Sequence, residues 1–224
     1  MSIAKNVKTL LKNIENGNVY GEKVTLVAAT KTQTSEDVNA AIAAGITDVG
    51  ENYVQEFRDK FDAVRGANKH FIGHLQTNKV KYLIGKTYLI QSCDRYELLD
   101  EISRRSQKNG IVTDVLIQIN IGCEESKGGF EYEEGYATYQ KAAAMPGIRV
   151  RGFMAMLPIA GTDEEKSALV KKMRALFDKA KANDENVVYL SVGMSGDYRL
   201  CLENGSNMIR IGTTIFGPRH YAAH

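Results

Sequence analysis

Lys31 is the residue whose type and position most directly suggest chemistry. It stands in Thr30-Lys31-Thr32, directly after the apolar run Leu26-Val27-Ala28-Ala29. Apolar neighbours at the end of a buried strand lower the pKa of a lysine ammonium, and a neutral lysine amine can form a Schiff base with an aldehyde. A solvated lysine at a strand end is the simpler interpretation of this position alone. The functional interpretation therefore depends on the residues around it.

Two segments late in the sequence have the composition of phosphate-binding loops. The first is Gly193-Met194-Ser195-Gly196-Asp197, and we expect Ser195 to begin a helix whose hydroxyl, free amides and positive dipole end face a dianion. The second is Gly212-Thr213-Thr214, a turn of small residues whose amides can also face an anion. Glycine-rich turns are common, so either segment alone is weak evidence. Both together, after the seventh and eighth strands of a barrel, favour a phosphate site.

One ligand could contact Lys31 and both loops, because strand 8 pairs with strand 1 in a closed barrel. A phosphorylated aldehyde has the two groups required, and pyridoxal 5′-phosphate is the commonest cofactor that carries both. Arg210 lies just before the second loop, where its side chain could reach the pyridine nitrogen. An arginine there would disfavour protonation of that nitrogen and weaken the ring as an electron sink. The alternative for Arg210 is a salt bridge at the barrel end.

Short apolar runs alternate with segments of helical period, a pattern typical of parallel strands joined by crossover helices. The predicted strands are Val24 to Ala29, Asp48 to Gly50, His70 to Gly73, Tyr88 to Gln91, Asp114 to Asn120, Arg149 to Met156, Val187 to Val192, and Met208 to Ile211. Eight strands and only 3 prolines favour an α/β fold of the (β/α)8 TIM barrel type, with an additional N-terminal helix, over an open sheet. We expect residues 1–224 to form one domain.

Helix boundaries are marked by residues that cap helices. Thr34-Ser35-Glu36-Asp37, Asp94 and Thr162-Asp163-Glu164-Glu165 each offer N-cap oxygens or first-turn carboxylates. Ala44-Gly45 is expected to end one helix. Too few residues follow the eighth strand for a full closing helix, so we expect an N-terminal helix over residues 2–15 to cover that gap.

Composition argues against several classes of protein. The 29 basic and 27 acidic residues leave a net charge of +2 and are dispersed, so nucleic acid is not an expected partner. Cys93, Cys123 and Cys201 are odd in number and widely spaced, which argues against disulfides and a zinc site and favours a reducing compartment. No metal ligand set is expected.

The sequence also bears on location. Because no long apolar stretch or signal-peptide pattern occurs, we expect a cytoplasmic protein without a membrane partner.

Several segments, spread over nearly the whole chain, resemble the pyridoxal phosphate homeostasis protein family. They are Leu26 to Thr32, Gly50 to Glu56, His70 to Lys79, Glu124 to Phe130, Gly193 to Tyr198, and Arg210 to Gly217. Their number and order make the resemblance specific. The departures are minor: Lys69 stands where the family usually has an aromatic residue, and Val192 where it commonly has Met.

This resemblance implies a barrel similar to the N-terminal domain of alanine racemase, with pyridoxal 5′-phosphate as the cofactor. It implies that Lys31 is the Schiff-base lysine and that Arg210 faces the pyridine nitrogen. It also assigns phosphate or pocket positions to Asn52, Met194, Ser195, Gly212 and Thr213. No catalytic residue is firmly implied.

The resemblance implies a carrier or regulator that holds and releases the cofactor, with apo-enzymes that need it as candidate partners. Alanine racemase uses a second domain and a partner subunit for its second acid/base group, and we expect no room for that domain here. The alternative is a small pyridoxal-phosphate-dependent amino-acid racemase in which Lys31 acts as the base. A phosphosugar Schiff-base lyase on the same fold is a third hypothesis. The default oligomeric state is a monomer.

Three further features near the predicted barrel mouth are assigned no catalysis. His74 follows the third strand and is expected to serve as a structural or pocket-lining polar group. Cys123 is expected to be a small buried apolar residue rather than a reactive thiol. Glu124-Glu125 with Lys127 is expected to be a mobile charged loop at the rim.

Overall fold

The computed structural model describes residues 2–124 and 128–218, and these form a closed parallel barrel in the strand order β1 to β8. The strands are β1 (Thr25–Ala29), β2 (Asp48–Glu51), β3 (Asn68–Phe71), β4 (Leu89–Cys93), β5 (Thr113–Ile119), β6 (Ile148–Ala155), β7 (Tyr189–Ser191) and β8 (Met208–Ile211). Each overlaps one of the predicted apolar runs, and the largest difference is at β3, which begins and ends two residues before the predicted run. The predicted (β/α)8 barrel is therefore confirmed.

Closure of the barrel depends on pairing between β8 and β1. Thr25 lies opposite Met208, and the register continues to Ala28 opposite Ile211. On its other edge β1 pairs with β2, with Ala29 opposite Gly50. The residues that follow β8, β1 and β2 consequently meet at one mouth of the barrel, which is the face that carries active sites in this architecture.

The helices lie on the outside of the strands. They are α1 (Ile3–Asn13), α2 (Ser35–Ala43), α3 (Val54–Lys60), α4 (Tyr96–Lys108), α5 (Gly135–Ala143), α6 (Asp163–Lys181), α7 (Tyr198–Glu203) and α8 (Thr213–Phe216), with a 3-10 helix at Thr77–Tyr82. Thr34 caps α2 by accepting a hydrogen bond from the Asp37 amide, and Thr162 and Glu165 form a reciprocal capping box on α6. Gly45, with φ of 119°, follows the end of α2 as predicted.

The N-terminal helix covers the seam between β8 and β1, as predicted. Val7 and Leu10 on its buried face belong to one apolar cluster with Ile209 and Ile215, next to the short helix α8. The Asn6 side-chain amide also donates to the Ile215 carbonyl oxygen at 2.9 Å. A second large cluster fills the space between the other strands and helices, and a small third cluster lies inside the barrel.

Three local expectations are wrong. Asp94 does not cap α4: the N-cap is Arg95 without a side-chain cap bond, and Asp94 pairs with His74 and Arg95 instead. Cys123 is exposed rather than buried, with φ of 51°. Ser195 does not begin a helix, because α7 starts at Tyr198 after the N-cap Asp197.

Of the charged loop predicted at the rim, residues 125–127 lie outside the described part of the chain. No helix within residues 2–124 and 128–218 is long and apolar enough to cross a membrane. In the same residues, no three His, Cys, Asp or Glu side chains are grouped as metal ligands.

Candidate functional site

Lys31 lies in a turn at the mouth of the barrel, two residues beyond the end of β1, and its side chain is half-buried. The backbone on each side of it is anchored. The Thr30 amide donates to the Gly50 carbonyl oxygen at 2.9 Å, and the Thr32 amide donates to Glu56 Oε2 at 2.9 Å. The turn therefore presents the lysine side chain from a fixed position.

A buried ionic cluster supports this turn from β2 and α3. Lys60 Nζ lies 2.8 Å from Glu51 Oε1, 2.7 Å from Glu56 Oε2 and 3.0 Å from the Thr30 carbonyl oxygen. The Thr30 hydroxyl donates to Glu51 Oε1 at 2.7 Å. Burial raises the pKa of the Glu51 carboxyl above its ordinary value, although the bonds from Lys60 and Thr30 oppose this rise. The cluster ties the start of the Lys31 turn to the neighbouring strand.

Asn52 follows β2 on the same side of the mouth. Its Oδ1 atom is buried and accepts no hydrogen bond from the described residues. A buried amide oxygen without a partner costs free energy, so such an atom indicates a site for a ligand or water donor. The backbone here is tightly packed, because a Cβ added at Gly73 would lie 2.0 Å from the Asn52 carbonyl oxygen.

Ser195 contacts the other predicted phosphate loop. Its Oγ atom accepts hydrogen bonds from the amides of Gly212 at 3.3 Å and Thr214 at 3.5 Å. The loop after β7 and the loop after β8 are thus joined through one hydroxyl, and their amides converge. Met194 and Thr213 lie beside them and are exposed, Met194 to 37%.

Arg210 projects into the barrel interior from β8 and is only 5% exposed. Its Nη1 atom donates to both the carbonyl oxygen and the hydroxyl oxygen of Ser191 at 2.7 Å, and its Nη2 atom donates to the Ala155 carbonyl oxygen at 3.0 Å. Burial lowers its pKa to about 10, so the guanidinium remains charged at neutral pH. Among the described residues, Arg210 does not form the alternative salt bridge at the barrel end, because its hydrogen-bond acceptors are neutral carbonyl and hydroxyl oxygens.

Arg210 also begins a buried polar chain that crosses the barrel. The Ser191 hydroxyl lies 2.7 Å from Gln91 Oε1, Gln91 Nε2 lies 3.0 Å from His70 Nδ1, and His70 Nε2 lies 3.0 Å from Asp48 Oδ1. The sequence prediction did not single out these residues as functional. Their signal is a polar residue inside an otherwise apolar strand, such as Gln91 after Leu89-Ile90, where burial requires a partner.

His74 follows β3 and lies on the same side of the mouth as Asn52, with which it lines one pocket. Its ring is 65% exposed, and Nδ1 lies 3.1 Å from Asp94 Oδ2. Asp94 is buried and also pairs with Arg95, which donates to the Leu75 carbonyl oxygen at 2.8 Å. The contact orients the imidazole at the rim, in keeping with the expected pocket-lining role.

The predicted site residues come together. They lie on or directly after four strands that are consecutive in the closed barrel, β7, β8, β1 and β2. In that order they are Met194 and Ser195 after β7, Arg210 on β8 with Gly212 and Thr213 after it, Lys31 after β1, and Asn52 after β2. The set combines an amine, a group of convergent amides with a hydroxyl, a buried cation and an amide oxygen without a partner. These groups fit an aldehyde, a phosphate and the ring between them, so the residues present suit pyridoxal 5′-phosphate.

Comparison with known proteins shows which family this chain resembles in sequence. The family model described as the alanine racemase N-terminal domain matches residues 2–220. A pyridoxal phosphate homeostasis protein of Aquifex aeolicus (strain VF5) is 42% identical over 200 residues, covering 88% of this chain and 87% of the relative.

Two solved structures share the architecture. PipY of Synechococcus elongatus PCC7942 with PLP bound has a TM-score of 0.82 at 25% identity, and covers 96% of this chain and 100% of that chain. An alanine racemase of Clostridium difficile 630 in complex with cycloserine has a TM-score of 0.76 at 15% identity, and covers 99% of this chain and 59% of that chain. The second likeness shows the fold alone.

Proposed function

Because this chain belongs to the pyridoxal phosphate homeostasis protein family, we propose that it binds pyridoxal 5′-phosphate and takes part in the intracellular homeostasis of that cofactor. When bound, the cofactor supplies an aldehyde that forms a Schiff base with a lysine amine. The observation that carries the proposal is the placement of Lys31, Arg210 and the Ser195 loop on adjoining strands at one barrel mouth.

Each residue has a role that its surroundings support. The anchored turn would present the Lys31 amine at the mouth, beside β8, which ends at Ile211. The Ser195 hydroxyl and the amides of Gly212, Thr213 and Thr214 would hold the phosphate.

The pyridine ring would lie between these two groups. Arg210 would donate to the ring nitrogen, and Asn52 would face the edge of the ring next to β2. Met194, exposed beside the phosphate loop, would cover the ring from the solvent side.

Arg210 would set the electronic character of the bound ring. A buried guanidinium that donates to the ring nitrogen keeps that nitrogen unprotonated, because two cationic centres in contact repel each other in a medium of low dielectric. The ring then withdraws electrons weakly, so proton loss from a bound amino acid is disfavoured. Binding and release need no such electron withdrawal, but a racemase can also work with a weakly withdrawing ring, so hydrogen exchange is the measurement that separates the two.

Borohydride reduction tests the binding proposal. Purified protein loaded with the cofactor is reduced, digested and mapped by mass spectrometry, alongside Lys31→Ala and Lys23→Ala. Lys23 is an exposed lysine at the other end of the same strand, which makes it a matched control. We expect the pyridoxyl group on the Lys31 peptide in wild type and Lys23→Ala, and no label in Lys31→Ala. A label elsewhere, or none, would refute the assignment.

Hydrogen exchange separates the carrier from the racemase. The loaded protein is incubated with L-alanine or L-serine in heavy water, and the amino acid is analysed by NMR and chiral chromatography. A carrier leaves protium at Cα and the L configuration intact. Rapid exchange or racemisation that disappears in Lys31→Ala would establish the racemase instead. A colourless protein that is not labelled by the cofactor would support the lyase.

We also propose a cytoplasmic location, a single-domain monomer and transfer of the cofactor to apo-enzymes. The free cysteines support a reducing compartment, since Cys93 and Cys201 are buried and unpaired. Light scattering tests the monomer. Activation of an apo-enzyme by the loaded protein, compared with the same amount of free cofactor, tests the transfer.

A further inference from the structure

We propose that Gln91 and Ser191 are positioning residues for Arg210, acting through a hydrogen-bond chain of one fixed direction that runs across the barrel interior from Arg210 to Asp48. The chain passes through Ser191, Gln91 and His70 in that order. Its role toward the cofactor rests on the proposed function, whereas its direction is a property of the protein alone.

The direction is set first at Arg210. A guanidinium can only donate, so the Ser191 hydroxyl oxygen accepts from Nη1 at 2.7 Å. The hydroxyl hydrogen of Ser191 is then left for its other neighbour, Gln91 Oε1 at 2.7 Å. The Ser191 hydroxyl therefore accepts from Arg210 and donates to Gln91, so both hydrogen bonds run in the same direction.

Gln91 continues the same direction because its amide has one favourable orientation. Its Nε2 atom lies 3.3 Å from Met208 Sδ as well as 3.0 Å from His70 Nδ1. A thioether sulfur only accepts, so the NH2 group must face it. Reversing the amide would place Oε1 against the sulfur and would take away the oxygen that accepts from the Ser191 hydroxyl.

His70 is consequently fixed as one tautomer. Its Nδ1 atom accepts from Gln91, so Nδ1 carries no hydrogen, and Nε2–H donates to Asp48 Oδ1 at 3.0 Å. Burial by itself would raise the pKa of Asp48, but hydrogen bonds from His70, Thr47 and Asn68 outweigh it and lower that pKa. The chain thus ends on a carboxylate, which only accepts.

This arrangement lets the barrel hold a buried cation that no carboxylate of the described residues contacts. The dipoles of Ser191, Gln91 and His70 all point their negative ends toward Arg210 and their positive ends toward Asp48, which stabilises both charges. Arg210 keeps its Nε–H and one Nη2–H without an acceptor among residues 2–124 and 128–218. These hydrogens are left for a ligand in the mouth.

The direction can be measured on the protein without cofactor. Long-range ¹H–¹⁵N NMR of ¹⁵N-histidine-labelled protein identifies which ring nitrogens of His70 carry hydrogen. We expect hydrogen on Nε2 of His70 and none on Nδ1. In Gln91→Glu, where a carboxylate oxygen would face Nδ1, we expect hydrogen on Nδ1. Hydrogen on Nδ1 of the wild-type ring would overturn the proposal, and this readout needs no variant to fold.

The positioning role is tested in Gln91→Met and Ser191→Ala. Each breaks the chain, and we expect about tenfold weaker pyridoxal phosphate binding with a shifted absorption band, while borohydride still labels Lys31. Ser103→Ala is the control, because Ser103 is an equally buried hydroxyl that donates to the Pro146 carbonyl oxygen, outside the barrel interior. It should bind as wild type does.

The outcomes separate the two proposals. If Lys31 is never labelled in wild type, the proposed function fails, and the NMR result still decides the direction of the chain. If Lys31 is labelled but Gln91→Met and Ser191→Ala match Ser103→Ala in affinity and band position, the positioning role fails alone. Recovery of both in Ser191→Thr, which restores the hydroxyl, would confirm that the bond and not the packing is responsible.

Discussion

The carboxylate of Glu56 accepts a hydrogen bond of 2.9 Å from the backbone amide of Thr32, the residue directly after Lys31. Thr32 has φ of 64°, a left-handed conformation that is unfavourable for a β-branched residue. Glu56 is itself held by Lys60 at 2.7 Å. The direction in which the chain leaves β1, and with it the position of Lys31, is therefore maintained against a local conformational cost.

Replacing Thr32 with glycine should stabilise the protein. Glycine adopts positive φ without the steric penalty, and this gain of about 1 to 2 kcal/mol exceeds the entropy that glycine adds to the unfolded chain. We expect a net increase of about 0.5 to 1 kcal/mol in the free energy of unfolding by urea denaturation. Gln33→Gly, in the same turn but without positive φ, should reduce stability. A loss of stability in Thr32→Gly would contradict the argument.

Ser195→Ala should weaken cofactor binding with little effect on stability. The substitution removes the oxygen that accepts from the amides of Gly212 and Thr214 and that would face the phosphate. A hydrogen bond to a charged group is worth enough for about a tenfold loss of affinity, measured by fluorescence titration with pyridoxal phosphate. Ser103→Ala, whose hydroxyl donates to the Pro146 carbonyl oxygen away from these loops, should bind normally. Equal affinity in both variants would remove Ser195 from the site.

Gly73→Ala should disturb Asn52. The added Cβ would lie 2.0 Å from the Asn52 carbonyl oxygen and 2.7 Å from its Cα, so the backbone after β2 must move. We expect a loss of about 2 kcal/mol in unfolding free energy and weaker cofactor binding. Gly196→Ala is the matched control for stability, because no atom of the described residues lies within 4 Å of its added Cβ. Its melting temperature should equal that of wild type. Similar melting of both variants would argue against the packing described.

Glu22 should account for part of the decrease in the free energy of unfolding at acid pH. Burial alone would raise its pKa, but hydrogen bonds from Arg174, Asn18 and Lys181 more than offset this and lower the pKa to about 2. Because the folded-state pKa lies below the ordinary 4.5, the carboxylate stabilises the fold above that pH, and the contribution is lost as pH falls from 4.5 toward 2. This sign makes Glu22 a source of acid sensitivity.

The change that tests this is Glu22→Gln. We expect a loss of about 2 kcal/mol at pH 7 and a flatter decline of stability between pH 5 and pH 2 than in wild type, from urea denaturation at each pH. Glu15→Gln removes an exposed carboxylate at the end of α1 and should change neither quantity. If the free energy of unfolding falls as steeply between pH 5 and pH 2 in Glu22→Gln as in wild type, other carboxylates cause the decrease.

The strands could be predicted from sequence because both of their faces are buried, which gives short apolar runs between helical segments. The position of Lys31 could be predicted for a related reason, since a strand end determines where the following residue emerges. Caps that use only local contacts, such as Thr162 with Glu165, were also predictable. These features depend on residues close together in the chain.

The rest depends on residues that meet only in the folded barrel. Asp94 has the right type and place to cap α4, but His74 and Arg95 compete for its carboxylate. Ser195 is predicted to bind an anion at the start of its own helix, whereas its hydroxyl accepts from amides that follow a different strand. The links from Arg210 through Gln91 to Asp48 connect residues on different strands, and no spacing in the sequence encodes them.

Pairing of β8 with β1 also has a consequence for folding. The lysine turn is made early in synthesis, but the strand that carries Arg210 and leads into the amides beside Ser195 is made last and must dock against β1. The binding site is therefore absent from any partly closed intermediate, and loop closure of this length is slow. A ligand that contacts both strands binds only the closed barrel and so stabilises the seam, by mass action, against opening. A greater supply of cofactor would then increase both the fraction of chains that carry it and the free energy needed to unfold them.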